Sequence, residues 1–261
     1  MKIYHYTTLE TFALILKNKT LRFNTVKNMN DPEEAVTNDF KESLQDYVFI
    51  SCWTQNSEES IPMWKMYADS AHGVRLESDT NFIHFDGNET NINGMNIVVQ
   101  NVQKSSDCLE KARFILLRQR NDNGDCHYHK VRYSNDERIF KEDISRNGIE
   151  QFKYNATTAF ATKNKHWGFE EEIRFILLGS DCKDEKMSDN WQYFYNRIVK
   201  KEPFSANSVY LKLKDEFFEN LKITAAPLMS NGEKILLKSL LRNFGLDEQS
   251  IENSNIKLRG I

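Results

Sequence analysis

The stretch 47–53 carries large side chains on both faces of a strand, and this limits the folds that the chain can adopt. Successive strand residues point to opposite faces, so the aliphatic residues and Cys52 share one face. Tyr47, Phe49 and Trp53 share the other face. A strand that is bulky on both faces needs cover on both, which predicts a central strand of a sheet.

The chain begins with a strand and a capped helix. Lys2 to Tyr6 alternates polar and apolar residues, and the polar residue between the two tyrosines is His5. Histidine at such a position can be a buried hydrogen-bonding group, a proton shuttle or a ligand. Thr7 and Glu10 form a T-x-x-E capping box, which predicts a helix that runs to about Lys17.

The remaining predicted elements follow no regular order along the chain. They are strands at 21–23, 72–76, 127–133, 170–178, 209–213 and 256–258, a helix beginning at 31–34, and helices over 62–68, 108–118, most of 136–160 and 233–243. We therefore expect an α+β fold with one domain over residues 1–261 and a helical insertion at 103–160.

Charge and hydropathy exclude some classes of partner. The formal net charge is −3, so a strongly basic nucleic-acid-binding protein is not indicated. No apolar run approaches the roughly 18 residues of a membrane helix, so no membrane partner is expected. The N-terminus has Lys2 and polar aromatic residues instead of an apolar signal core, which predicts a cytoplasmic protein.

Most of the familiar catalytic motifs are absent from the sequence. Glycine-rich phosphate loops, a G-x-S-x-G elbow and an H-E-x-x-H helix do not occur, which argues against kinases, Rossmann oxidoreductases, α/β-hydrolases and zinc proteases. Cys126 and His129 lie in a Cys-His-Tyr-His cluster, but no second cluster completes a tetrahedral set, so no metal is expected. Arg120 and His127 have the spacing of a metal-independent ribonuclease, although the residues between them disfavour the helix that this chemistry needs.

Three consecutive glutamates that lead into an apolar run are the strongest local signal. On a strand, Glu170, Glu172 and Arg174 would share a face. Neighbouring carboxylates raise the proton affinity of one of them, and an arginine opposes this effect. The group could polarise a hydroxyl or stabilise a developing cation, or it could be an ion pair at a solvated strand edge.

Aromatic residues beside polar ones are a second signal. They are Trp53, Trp64, Tyr67, Trp167 and Phe169. Aromatic walls with a few polar groups suit flat ligands such as nicotinamide or adenine, although aromatic residues are also common in cores.

Several motifs occur in a fixed order along the chain: Tyr4-His5-Tyr6-Thr7, Leu21-Arg22-Phe23, Asn30-Asp31-Pro32-Glu33-Glu34, Phe49-Ile50-Ser51-Cys52-Trp53, Met63-Trp64-Lys65-Met66-Tyr67-Ala68, Gly73-Val74 and Trp167-Gly168-Phe169-Glu170-Glu171-Glu172-Ile173-Arg174-Phe175. This set resembles a large bacterial and phage family of unknown function with a Y-H-Y-T opening and a late W-x-x-E-x-E-x-R motif.

The same residues are more distantly similar to the H-Y-E arrangement of ADP-ribosyltransferases. This resemblance implies a mixed, mostly antiparallel sheet core of ADP-ribosyltransferase-like type. It also implies that His5 hydrogen-bonds the nicotinamide ribose of NAD and that Tyr67 or Trp64 stacks on nicotinamide. Glu172, with Glu170 beside it, would be the catalytic carboxylate that stabilises an oxocarbenium-like transition state.

The resemblance implies further contacts with the nucleotide. Ser51 and Trp53 would line the cleft, and Arg22 or Arg174 would meet the pyrophosphate. The expected function is an NAD-consuming ADP-ribosyltransferase or NAD glycohydrolase, acting as a toxin or phage-defence effector. Its expected partners are a nucleotide, a protein or nucleic-acid acceptor, and a neutralising or regulatory protein. The alternatives are a non-catalytic nucleotide- or partner-binding module and the ribonuclease.

Overall fold

The computed structural model describes residues 1–40, 42–84, 88–92, 95–103, 111–116, 119–121, 124–126, 128–136, 143, 159–179, 200, 202 and 207–258. Its strands are β1 (Lys2–Thr8), β2 (Thr20–Thr25), β3 (Val48–Thr54), β4 (Gly73–Asp79), β5 (Asn88–Ile92), β6 (Met95–Gln103), β7 (Lys111–Leu116), β8 (Gln119–Asn121), β9 (Gly124–Cys126), β10 (His129–Lys130), β11 (Arg132–Ser134), β12 (Thr162–Asn164), β13 (Glu172–Gly179), β14 (Ser208–Lys212), β15 (Lys222–Ala225) and β16 (Ile251–Asn253).

Helices are few and mostly short in the described part of the chain. They are α1 (Leu9–Asn18), α2 (Ile61–Met63), which continues as a π-helix (Trp64–Ala68), α3 (Asp215–Glu219) and α4 (Asn231–Asn243), with 3₁₀ turns at Val26–Asn28, Glu42–Asp46, Lys165–Glu170 and Glu248–Ser250. None of these helices has both the length and the apolar character needed to cross a bilayer. The fold is therefore mixed α and β, with a dominant sheet.

The strand β3 is central, as its two bulky faces predicted. One edge of β3 pairs with β13 along its length, from Val48 opposite Leu178 to Thr54 opposite Glu172. The other edge is shared between β2, which pairs at Phe49 and Ile50, and β1, which pairs at Thr54. Opposite residues 51–53 the two neighbouring strands separate from β3, and this fork opens a gap in the sheet.

Strand pairing in the main sheet is mostly antiparallel. The order β13-β7-β6-β14-β2-β3 returns to β13, so the pairings close a ring, and β1, β4, β15 and β16 extend the sheet from β3. The parallel pairs among the described strands are β15 with β16 and β11 with β12. The predicted mostly antiparallel sheet is thus confirmed.

Apolar clusters cover both faces of the two central strands. Phe49 and Phe175 pack in the larger cluster, which also receives α1 and α4. Ile50, Ile176 and Leu178 pack in the smaller cluster on the opposite face. Burial on both faces explains why β3 and β13 contain almost no solvent-facing positions.

Several predicted boundaries are wrong. The N-cap of α1 is Thr8, whose hydroxyl accepts from the Thr11 amide at 3.1 Å, so the proposed capping residue is one position too early. Asp31 begins a turn instead of a helix, and its carboxylate accepts from the Glu33 amide. The segment 256–258 is not a strand, because β16 ends at Asn253.

The predicted helical insertion at 103–160 contains strands in its described part. The helix expected over 108–118 is wrong at Lys111–Leu116, which form β7 between β6 and β13. Alternating small, charged and apolar residues allow either structure there, and pairing with two sheet strands decides it. The other residues of the expected helices in 136–158 lie outside the described residues, apart from Asp136 and Asp143. The single-domain boundary over 1–261 stays a prediction.

Candidate functional site

A cavity of about 330 Å³ lies in the fork between β1, β2 and β3, and we name it the cleft. It is lined by Tyr4, His5, Tyr6, Arg22, Asn24, Asn28, Met29, Asn30, Glu34, Ile50, Ser51, Cys52, Trp53, Met63, Met66, Tyr67, Lys163, Glu170 and Glu172. Three strands, β1, β2 and β3, thus supply nine of its nineteen lining residues.

A close backbone approach positions the helical wall of the cleft. A side chain at Gly73, the first residue of β4, would place its Cβ 1.7 Å from the carbonyl oxygen of Ala68. Glycine alone lets β4 approach the end of the π-helix that carries Met66 and Tyr67. Such π-turns within helices are frequent at functional sites.

Five buried charged residues lie together at one side of the cleft, and all except Arg174 line it. We name them the charged cluster: Glu34, Lys163, Glu170, Glu172 and Arg174. The Lys163 ammonium lies 2.7 Å from a Glu170 oxygen, 3.1 Å from Glu34 and 3.3 Å from Glu172. One lysine thus connects Glu34 with the two glutamates of the 170–172 segment.

The guanidinium of Arg174 completes the charged cluster. It meets Glu172 in a forked pair, with Nε at 2.7 Å from Oε1 and Nη2 at 3.0 Å from Oε2. It also reaches Glu34 at 2.7 Å and donates to the carbonyl of Phe160 at 2.7 Å. These contacts hold the Arg174 guanidinium in place, and it in turn fixes the orientation of the Glu172 carboxylate.

A left-handed residue brings Glu170 and Glu172 together. Glu170 ends a 3₁₀ turn and does not lie on β13, so the prediction that it shares a strand face with Glu172 and Arg174 is wrong. Glu171 between them has φ 42°, which turns the chain so that both flanking carboxylates reach Lys163 while Glu171 itself faces solvent. This conformation is uncommon for a residue other than glycine.

The cluster contains three carboxylates and two cations, so the carboxylates differ in proton affinity. Burial and the charge of Glu172 raise the pKa of Glu170 to about 7. Burial also acts to raise the pKa of Glu172, but Arg174 and Lys163 outweigh it and lower that pKa to about 2. Glu172 is therefore held ionised, whereas Glu170 exchanges its proton near neutral pH.

Tyr67 links the cluster to the helical wall. Its hydroxyl donates to Glu170 in a short hydrogen bond, and Asn30 also hydrogen-bonds the same hydroxyl. Burial and the neighbouring Glu170 raise the pKa of Tyr67 well above its usual value, so it stays a donor.

His5 occupies the opposite wall of the cleft. Its Nδ1 lies 2.9 Å from the carbonyl oxygen of Cys52. A carbonyl only accepts, so Nδ1 carries the proton and Nε2 is left as an acceptor. Burial lowers the pKa of His5, which keeps the ring neutral, and the ring packs 4.9 Å from that of Trp53.

Most of the residues that the sequence singled out line the cleft. They are His5, Arg22, Ser51, Trp53, Tyr67, Glu170 and Glu172. Arg174 lies behind Glu172 without lining the cavity. Trp64 is buried outside the cavity, where its indole donates to Glu59 at 2.9 Å and its ring packs against Tyr6.

Sequence reasoning missed three residues of the site. Glu34 lies within a motif that was interpreted as a helix start, and Lys163 had no local signal at all. Tyr133 was taken as an ordinary strand residue, but its hydroxyl accepts from the Glu172 amide at 2.8 Å. Glu34 and Tyr133 come from segments far from Glu172 in sequence, so only the fold brings them to it. Lys163 lies nearer, on β12, nine residues before Glu172.

Two other candidate sites are less complete. Among the described residues no group of histidine, cysteine and acidic side chains is arranged to hold a metal ion. Arg120 lies on β8 in a short hairpin, whereas His127 lies outside the described residues.

Comparison with known proteins connects the chain to an uncharacterised family. Residues 63–175 match the model of a family described as protein of unknown function (DUF2971). The matched range includes the π-helix and ends in β13, so it covers Tyr67, Lys163, Glu170 and Glu172. Searches of curated proteins and of solved structures found no match.

Proposed function

We propose that the chain is an NAD-consuming enzyme, an ADP-ribosyltransferase or NAD glycohydrolase that binds NAD⁺ in the cleft. The observation that carries this proposal is the convergence of His5, Tyr67, Glu170 and Glu172 on one cavity at a fork in the sheet. The antiparallel, forked sheet is compatible with the ADP-ribosyltransferase-like fold that the motifs imply.

The charged cluster supplies the electrostatic part of the reaction. When the bond between nicotinamide and the ribose C1′ breaks, nicotinamide leaves with the bonding electrons and the sugar becomes positively charged. Glu172 is held ionised and lines the cleft, so its negative charge stabilises that developing cation. Arg174 and Lys163 keep this carboxylate ionised and oriented before substrate binds.

Glu170 supplies the proton acceptor. A water molecule or an acceptor hydroxyl that attacks C1′ must lose a proton, and a carboxylate with a pKa of about 7 accepts it near neutral pH. The Tyr67 hydroxyl donates to the same carboxylate and fixes its position.

Nucleotide binding uses the groups that the protein leaves free. The Nε2 of His5 accepts from a ribose hydroxyl, and the Trp53 ring beside it provides an apolar surface. Arg22 is exposed at the cavity and forms no ion pair with a described residue, so it is placed to meet a phosphate. A volume of about 330 Å³ suits the nicotinamide riboside half of NAD⁺, with the phosphates outside.

The proposal extends to the biological role that the resemblance implies. The protein would act in the cytoplasm as a toxin or phage-defence effector, with a protein or nucleic acid as the acceptor. A neutralising or regulatory protein would control it.

Incubation with NAD⁺ tests the proposal. We expect the purified protein to release nicotinamide, which chromatography detects, and Glu172→Gln to reduce the rate about 100-fold or more because one charge at the transition state is lost. Glu171→Gln is the matched control, because the neighbouring Glu171 side chain is exposed and hydrogen-bonds Asn56 outside the cleft. A wild-type protein that neither binds nor consumes NAD⁺ would refute the proposal.

One observation favours a second candidate, a nucleotide- or partner-binding module without catalysis. Both oxygens of Glu172 already meet Arg174, and Lys163 and the Cys52 thiol also hydrogen-bond or pair with this carboxylate. A module of this kind would bind NAD⁺ saturably in calorimetry, release no nicotinamide, and keep its affinity in Glu172→Gln.

A further inference from the structure

A second cavity of about 370 Å³ lies beside β4 and β15, and we name it the Arg75 cavity. The segment 57–59 that follows β3, the strands β4 and β15, and the C-terminal residues 252–256 enclose it. It shares no lining residue with the cleft.

Arg75 is a buried cation with unused donors. Its side chain is 7% exposed, and Nη2 donates to the carbonyl of Ser57 at 2.9 Å. Its Nε and Nη1 have no hydrogen-bond partner, although they are buried. The ring of Tyr4 lies 4.2 Å from the guanidinium carbon and covers one of its faces. Buried guanidinium donors are normally paired, so these donors point to an anionic or carbonyl group that binds there.

Two carboxylates line the same cavity without meeting Arg75. Glu58 and Glu252 are both exposed, and neither forms an ion pair with Arg75 or with another described cation. The protein therefore keeps the guanidinium apart from both exposed carboxylates, although either of them could pair with it.

A third glutamate fixes the cavity wall. Glu59 accepts from the indole of Trp64, the hydroxyl of Ser254 at 2.6 Å and the amide of Asn255 at 2.7 Å. These bonds clamp the C-terminal segment against the segment 57–59, so the cavity is formed before any ligand binds.

We propose that the Arg75 cavity binds a free α-amino acid, with the ligand carboxylate on Arg75 and the ligand ammonium at Glu58 and Glu252. The charges of this ligand complement both walls at once. A phosphate would gain Arg75 but meet three carboxylates, and a metal cation would be repelled by the guanidinium.

The site is independent of the proposed NAD chemistry. Its test is a thermal-unfolding screen of the wild-type protein with each of the twenty common L-amino acids, followed by calorimetry of those that stabilise it. We expect at least one amino acid to bind saturably. Its N-acetyl and carboxamide forms, which each lack one charge, should bind about tenfold more weakly or worse.

Variants separate the proposed contacts from general effects on folding. Arg75→Lys should weaken binding about tenfold, because lysine lacks the planar donor fork. Arg75 is buried, so Glu252→Gln at an exposed position gives a second test, and it should weaken binding through the ammonium alone. Glu219→Gln, which is exposed and outside the cavity, should leave binding unchanged.

Three results would overturn the proposal. They are no binding by any amino acid, equal binding of the charged and blocked forms, and binding of inorganic phosphate in preference to every amino acid. The last result would assign the cavity to an anion instead.

Discussion

The two cavities differ in whether their charged side chains pair with one another. In the charged cluster at the cleft, Lys163 pairs with all three carboxylates and Arg174 with Glu34 and Glu172, so the chain itself neutralises most of the charge. In the Arg75 cavity, the guanidinium and the two exposed carboxylates line one space without pairing. The first arrangement suits the reaction that we propose, and the second suits the proposed ligand, which carries both charges.

Substitutions in the two cavities should therefore differ in their effects on folding and on function. Removing one partner from a buried ion cluster leaves an uncompensated charge in the protein interior, so folding and activity should both suffer. Changing an exposed, unpaired carboxylate should affect ligand binding alone.

The largest loss of stability is expected when the charged cluster loses Lys163, its central cation. Lys163→Met leaves three buried carboxylates with Arg174 alone, and it should lower the free energy of unfolding by about 3–5 kcal/mol. Urea unfolding measures this change. Lys165→Met, two positions away and exposed, is the control and should stay within about 0.5 kcal/mol of wild type. Similar losses in both variants would show that Lys163 is not the centre of the network.

A pH effect of about 3 kcal/mol is expected from Glu170. Its pKa rises from 4.5 to about 7 on folding, so the folded state retains a proton that the unfolded chain releases. Stability contributed by this group is present below pH 4.5 and is lost as the pH rises towards 7. Glu172, whose pKa is lowered to about 2, acts in the other direction and loses its contribution as the pH falls from 4.5 towards 2.

Glu170→Gln isolates the first of these two pH effects. Unfolding measured at intervals from pH 4 to 8 should show a flatter decline above pH 4.5 in Glu170→Gln than in wild type. The exposed Glu171→Gln should keep the wild-type slope. An unchanged slope in Glu170→Gln would mean that another group binds the proton.

A smaller loss of stability is expected when Tyr133, which holds the backbone amide of Glu172, loses its hydroxyl. Tyr133→Phe removes the hydroxyl that accepts from the Glu172 amide, which should cost about 1–2 kcal/mol. Tyr210→Phe is the matched control, because that hydroxyl has no hydrogen bond to a described residue. Equal stability of Tyr133→Phe and wild type would show that water replaces the hydroxyl.

The smallest change in stability should follow a substitution in the Arg75 cavity. Glu252→Gln removes an exposed carboxylate that has no ion-pair partner, so unfolding should change by less than about 0.5 kcal/mol. Chemical unfolding without added ligand checks this prediction. A loss as large as that in Lys163→Met would erase the contrast between the two cavities.

The sequence predicted the central strands well because their signals are local. The bulky faces of 47–53 and the apolar run after Glu172 mark strands that are buried on both sides, and both are central in the sheet. The T-x-x-E pattern favoured Thr7 as the N-cap, but the backbone geometry places Thr8 there, where its hydroxyl accepts from the Thr11 amide.

The charged cluster was only half predictable. Glu170, Glu172 and Arg174 lie in one motif, so their proximity could be expected from spacing. Glu34 reaches them from a distant segment, and Lys163 reaches them from β12, seven residues before Glu170. Glu171 adopts a left-handed conformation that no propensity indicates. The Arg75 cavity had no sequence signal, because its charges come from β4, the segment 57–59 and the C-terminal region.

The central claim, that the cleft is the nucleotide site, is tested most directly by the indole signals of the tryptophans in NMR spectra during an NAD⁺ titration. The Trp53 indole donates to Ser51 at 3.1 Å on the cleft wall, and a Trp53→Phe spectrum identifies its signal. We expect this signal to shift saturably with NAD⁺ and to shift more than that of Trp167, which does not line the cleft. A Trp53 signal that stays in place at saturating NAD⁺ would contradict the account.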